Sequence, residues 1–161
     1  MNPCPCGYFN DPNRDCTCSP SALHRYRNKI SGPLLDRFDL QLEVVPVTFQ
    51  ELHRSEPEED SATIRKRVIA AREIQQKRFA GSGTIHNGAM TAAQIQKFCQ
   101  LDDECAGLMK DAFETMGLTA RSYDRILKVA RTVADMDGSE EIQPQHIAEA
   151  IQYRAVNLGN R

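Results

Sequence analysis

The residues best suited to do chemistry are four cysteines near the amino terminus, Cys4 and Cys6 followed by Cys16 and Cys18, two Cys-x-Cys pairs on a loop rich in Pro, Gly, Asn and Asp. Four thiolates can close a tetrahedral site, because soft sulfur ligands satisfy Zn²⁺ without any open position. A site closed in this way is structural, since catalysis needs a vacant coordination position. A one-residue gap strains chelation by both sulfurs of a pair, so free or redox-active thiols are the alternative reading. Cys99 and Cys105 lie in helical surroundings and read as core residues.

Two arginines stand out by position. Arg37 sits in Gly32-Pro-Leu-Leu-Asp-Arg-Phe-Asp39, just before a strand-like segment. Held there, its planar fork could reach a phosphate on a neighbouring molecule; the plainer reading is an ion pair with Asp36 or Asp39. Arg121 follows Thr119 at the first turn of a long expected helix. Exposed N–H groups and a positive dipole end make that an anion site if the arginine serves it, and a solvated arginine otherwise. Arg65, Lys66, Arg67, Arg72, Lys77 and Arg78 make one helix basic, either as a solvated face or as a phosphate-backbone track. The four histidines are scattered without ligand spacing and receive no role. There is no G-x-x-x-x-G-K-[ST] phosphate loop, no acidic Walker-B strand and no convincing nucleophile–base pair.

These residues need elements to hold them. Residues 1 to about 18 read as an ordered loop. Ser19-Pro20 is an N-cap with proline at the first helical position, opening a helix to about Ile30 that Ser31-Gly32-Pro33 breaks. Leu34 to Phe38 suits a short turn, and Asp39 to Val45 alternates polar with apolar as a strand does, ending at Pro46. Beyond it the chain reads as helical. Thr48 can cap a short helix through His53, and residues 56–60 form an acidic linker. A helix from Ser61 to near Gly81 carries Ile64, Val68, Ala71 and Gln75 at helical spacing. After a Gly/Asn/His loop, helices are expected at about 91–99, 103–116 and 120–136, and from Pro144 to about Val156. The fold class is therefore mainly α: a fragment of α/β domain with a loop, a helix and one strand over residues 1–47, then a helical bundle over 48–161.

Composition limits the rest. With 40% apolar and 26% charged residues the chain is ordinary for a folded protein. Its formal charge of -2 means that any DNA contact must be local. No apolar stretch approaches the ~20 residues that span a bilayer, so no membrane association is expected. Met1 to Cys6 lack the basic and apolar regions of a secretory signal, and six cysteines then point to the reducing cytoplasm.

Five blocks together carry a resemblance: Met1-Asn-Pro-Cys-Pro-Cys-Gly-Tyr8, Cys16-x-Cys-Ser-Pro20, Tyr26-Arg27, Ser31-Gly-Pro-Leu-Leu-Asp-Arg-Phe-Asp-Leu40 and Thr119-Ala-Arg-Ser-Tyr-Asp-Arg-Ile-Leu127. In this order they resemble the magnesium-chelatase-like AAA+ proteins, in particular the ComM/YifB branch. The resemblance implies that residues 1–47 end an AAA+ nucleotide core and that 48–161 form its helical lid. It implies that Asn2 is the sensor-1 residue orienting the attacking water, that Arg37 is an arginine finger acting in trans, and that Arg121 is the sensor-2 arginine. ATP with Mg²⁺ is the implied cofactor, and neighbouring subunits of a homo-oligomeric, hexameric ring and DNA are the implied partners. A chelatase-type ATPase that remodels a protein is the alternative, and a non-enzymatic zinc-bearing binding module a further one. Some relatives lack the cysteines, which implies that a metal is not essential to the ATPase chemistry. The phosphate loop and Walker-B acids of such proteins lie upstream of the sensor-1 asparagine, so the chain reads as a carboxy-terminal piece that does not hydrolyse ATP alone.

Overall fold

The computed structural model describes residues 1–11, 13–44, 47, 49, 53 and 59–154. It forms two compact units, Met1–Arg54 with Val156–Arg161, and Ser55–Ala155.

The first unit opens with the cysteine loop and continues into α1 (Pro20–Arg27) and the single turn α2 (Gly32–Leu35). Ser19 caps α1 by accepting from the Ala22 N–H at 3.3 Å, and Pro20 and Pro33 each sit where a helix leaves its N–H unused. α1 stops at Arg27, short of Ile30, and Asn28 follows as its C-cap. The expected strand does not form: residues 39–44 are neither strand nor bridge. An alternating sequence becomes a strand only where a ladder partner takes its N–H and C=O groups, and no described residue supplies one. Leu40, Leu42 and Val44 accordingly stand exposed. Most of the short helix expected after Thr48 lies outside the described residues, as do Val45 and residues 56–58 of the acidic linker.

The second unit is a bundle of five helices: α3 (Ser61–Arg78), α4 (Ala92–Phe98), α5 (Asp103–Met116), α6 (Ala120–Met136) and α7 (Pro144–Gln152). A 3₁₀ turn, Asn87–Ala89, lies between α3 and α4. Each start has a local cause. The Asp60, Thr91, Asp102 and Thr119 side chains accept backbone N–H groups that the first helical turn leaves over. Gly117, at φ 61°, ends α5 in the left-handed region that a side chain disfavours. α6 is the central helix, packing on α3, α4, α7 and the 3₁₀ turn, while α5 packs on α7. The core runs through Met109, Ile126, Leu127, Ala130, Ala134, Ile142, Ile147 and Ala150. Each large apolar side chain buried there contributes about 1.5–3 kcal/mol before entropy is charged against it.

The helical expectation thus holds. On α3 the apolar stripe is half used: Ala71 and Gln75 are buried, Ile64 and Val68 exposed. α7 ends at Gln152, and residues 155–161 lie outside the described set.

Candidate metal centre and candidate functional arginines

The loop before α1 brings the four early cysteines together. The Sγ atoms of Cys4, Cys6, Cys16 and Cys18 all lie within 4.8 Å of one another. Cys6 and Cys16 are 3.7 Å apart, as are Cys16 and Cys4. A regular tetrahedron with Zn–S bonds of about 2.3 Å has sulfur–sulfur edges of about 3.8 Å. Two of the edges therefore match a four-thiolate site. Cys4 to Cys6, at 3.3 Å, is tighter, as a one-residue gap imposes. Cys4 is buried and the other three are half-buried, which suits a closed site with no room for a substrate.

The thiols differ in acidity. A backbone hydrogen bond from Tyr8 and one from the Cys4 thiol lower Cys6 to about 6. Against a backbone hydrogen bond from Cys6 that lowers it, burial and the neighbouring thiols push Cys18 up to about 12. Cys16 is also raised: burial and the Cys6 and Cys4 thiols outweigh a backbone hydrogen bond from Cys18. A bound cation would hold all four as thiolates, because coordination itself removes the proton.

Around the cluster the loop is braced. The Gly7 N–H donates to the Cys4 carbonyl at 3.1 Å and approaches Cys4 Sγ at 3.2 Å. Gly7 has φ +89°, so a side chain there would strain the turn. The Arg27 guanidinium lies 4.4 Å over the Phe9 ring, fastening the loop to α1. Arg14 stacks on Tyr8 at 5.1 Å and donates to its hydroxyl at 2.8 Å.

Asn2 and Arg37 fall in the first unit and Arg121 in the second. Asn2 is exposed, its Nδ2 3.8 Å from where a Cβ on Gly7 would stand. Arg37 is exposed just after α2, its Nη1 donating to the Pro33 carbonyl at 3.4 Å. Arg121 is exposed in the first turn of α6, beyond the Thr119 cap. Arg65, Lys66, Arg67, Arg72 and Lys77 are exposed on α3.

Arg78 departs from that basic face. It reaches into the bundle, where its Nη1 donates to Asp135 at 2.7 Å and to Asn87 at 3.0 Å, and its Nη2 also donates to Asp135. Arg131 completes the group, donating from Nε to Asp135 at 3.1 Å and from its Nη atoms to the Glu140 and Ser139 carbonyls. Burial lowers Arg131, with Asp135 opposing the shift. Sequence reasoning missed this network. The signal was present: Arg131 and Asp135 are spaced i,i+4 on the side of α6 that carries Leu127 and Ala134. His146, given no role, is buried and caps α7: its Nδ1 accepts from the Gln143 N–H at 2.9 Å and its Nε2 lies 3.1 Å from Asp137. Cys99 and Cys105 are buried core residues as expected, their thiols pushed up to about 11 and about 12 by desolvation.

A four-thiol loop leading into a short helix, with a separate helical bundle after it, defines a mainly α chain of two units. Residues 58–154 match the family described as magnesium chelatase, subunit ChlI C-terminal, and residues 1–52 the family described as magnesium chelatase, subunit ChlI. The chain belongs to the magnesium chelatase ChlI family, as its sequence blocks suggest. It is similar to the uncharacterised protein YifB of Salmonella typhimurium, 42% identical over 159 residues, and to YifB of Escherichia coli, 42% identical over 158. Each match covers 98% of this chain and 30% of the relative. Competence protein ComM of Haemophilus influenzae is 40% identical over 157 residues, 97% of this chain and 30% of that protein. The chain thus spans about 30% of the length of the curated relatives it matches. No described helix is long and apolar enough to cross a membrane.

Proposed function

We propose that this chain is the sensor- and finger-bearing portion of an AAA+ ATPase that assembles as a hexameric ring and moves on DNA during recombination of incoming strands. The observation that carries the reading is similarity along nearly the whole chain to a protein named for competence, within a family matched by both units. In the complete protein ATP would supply the reacting phosphates and Mg²⁺ would neutralise their charge. Asn2 orients the attacking water, Arg37 reaches the nucleotide of the adjacent subunit, and Arg121 holds phosphate from the lid. The exposure of all three side chains supports these roles, as does the positive end of α6 beneath Arg121. Residues 1–47 are the end of the nucleotide core in this reading and 48–161 the lid. The four cysteines form a closed structural Zn²⁺ site, and the protein works in the cytoplasm.

The family description itself favours a second reading, a chelatase-type ATPase that remodels a protein partner. ATP turnover by the complete protein, with and without forked DNA, separates the two. Turnover that rises with DNA supports the motor, and turnover indifferent to DNA supports the remodeller. An Arg37→Ala protein should bind ATP yet lose most hydrolysis; parent-rate turnover would sink the finger assignment.

A further inference from the structure

Asn2 and the four-cysteine cluster share one short, stiff piece of chain. Pro3 alone separates Asn2 from Cys4, and Pro5 alone separates Cys4 from Cys6. Each proline ring locks its own φ near −65° and confines the residue before it to extended backbone. The torsions between Asn2 and Cys6 are therefore few and restricted, and a shift of Cys4 passes to Asn2 with little to absorb it. Cys4 is the buried member of the cluster and its thiol lies within reach of the other three.

The cysteine turn is closed from the other side. The Gly7 N–H donates to the Cys4 carbonyl, which closes the Cys4-Pro5-Cys6-Gly7 turn. The Asn2 Nδ2 is 3.8 Å from the point where a Cβ on Gly7 would stand. Asn2 is itself exposed, so no core surrounds it and its link to the cluster is the chain through Pro3.

We infer that the cysteine turn, closed on a divalent metal ion, is the anchor that positions Asn2, so that metal loading sets the turnover of the complete protein while leaving nucleotide binding unchanged. The inference rests on reading Asn2 as the residue that orients the attacking water. The metal takes no part in the chemistry.

The test uses the complete protein loaded with zinc, a Cys16→Ser/Cys18→Ser variant, whose changes lie far in sequence from Asn2, and Asn2→Ala. Misplacing a group by about 1 Å costs about a hundredfold in rate, so the metal-free variant should lose turnover on that scale. Its affinity for a fluorescent ATP analogue should stay within about twofold, as expected when only a transition-state interaction is lost. Asn2→Ala should lose as much turnover, and combining it with Cys16→Ser/Cys18→Ser should cost nothing further. A second measurement needs no variant: in the 161-residue chain, zinc titration followed by NMR should shift the Asn2 side-chain amide and saturate at about one zinc per chain. The inference is overturned if the metal-free variant keeps the parent kcat while Asn2→Ala loses it. An Asn2 amide unmoved by zinc, or a chain that takes up no zinc, overturns it equally. If Asn2→Ala itself turns over at the parent rate, the sensor reading falls and takes the inference with it.

Discussion

The two units stay folded by different means. The bundle buries a contiguous apolar core around α6 and, inside it, a polar group in which Asp135 answers two arginines and an asparagine. Among the described residues of the first unit, only Cys4 is buried. Leu34, Phe38, Leu40, Leu42, Val44, Val47 and Phe49 all remain exposed there. Where so little apolar surface leaves water, the hydrophobic term cannot offset chain entropy, and other links must hold the shape. The cysteine cluster and the Arg27–Phe9 stack are such links. Exposed apolar residues in number also mark a surface suited to a partner.

Titrating zinc in and chelating it out is the strongest way to test this contrast. Structural zinc contributes an apparent 10–16 kcal/mol or so in zinc-finger peptides, far more than any single side chain in the bundle. A tight chelator should therefore abolish hydrogen-exchange protection in residues 1–18 and leave the cooperative melting of residues 59–154 where it was. Equal protection of the loop with and without metal would show that its backbone turns suffice.

The next largest effect belongs to the bundle. Asp135→Ala removes the partner of Arg78, Arg131 and Asn87 together, and removing one member of a buried pair costs about 3–5 kcal/mol. Urea unfolding should show that loss with the four-cysteine cluster still able to bind metal. A loss below about 1 kcal/mol would mean that water enters and takes over the carboxylate's role.

Much of the bundle was legible because its signals are local. Thr91, Asp102 and Thr119 each cap a helix and Gly117 ends one, all within a few residues of the element concerned. The four cysteines converge as their types suggested, because Cys-x-Cys pairs on one loop have little room to separate. The expected strand failed over residues 39–44 for the opposite reason: alternation describes a face, and a strand also needs a neighbour that its own sequence does not contain. Arg78 was misjudged as part of a solvated face because its partner Asp135 is 57 residues away. Half of the α3 stripe misled in the same way, since Ile64 and Val68 repeat the spacing of buried Ala71 and Gln75 yet stand exposed.

A smaller change sharpens the claim that the bundle's boundaries are set locally. Gly117 holds φ 61° after α5. A Cβ would meet no heavy atom within 4 Å there, so backbone strain is the whole cost of Gly117→Ala, about 1–2 kcal/mol. Thermal unfolding should show a modest fall with the core intact, and an unchanged midpoint would mean that the turn relaxes out of the left-handed region.

The smallest expected effect is a pH dependence confined to the bundle's caps. The Asp60 and Asp102 carboxylates accept the Thr63 N–H at 2.8 Å and the Cys105 N–H at 2.7 Å. Both carboxyls lie below their usual value, Asp60 through its hydrogen bonds with Thr63 and Asp102 through the Cys105 backbone N–H. A carboxyl whose folded pKa lies below its unfolded one binds protons more weakly when folded, so its contribution is fully present above the unfolded value of about 3.9. It is lost as pH falls through the lower, folded values. The bundle's midpoint should therefore decline below about pH 4, and part of that decline should vanish in Asp60→Asn/Asp102→Asn, which keeps a capping oxygen without the charge. An acid limb as steep in that double variant as in the parent would assign the acid sensitivity to groups other than these two caps.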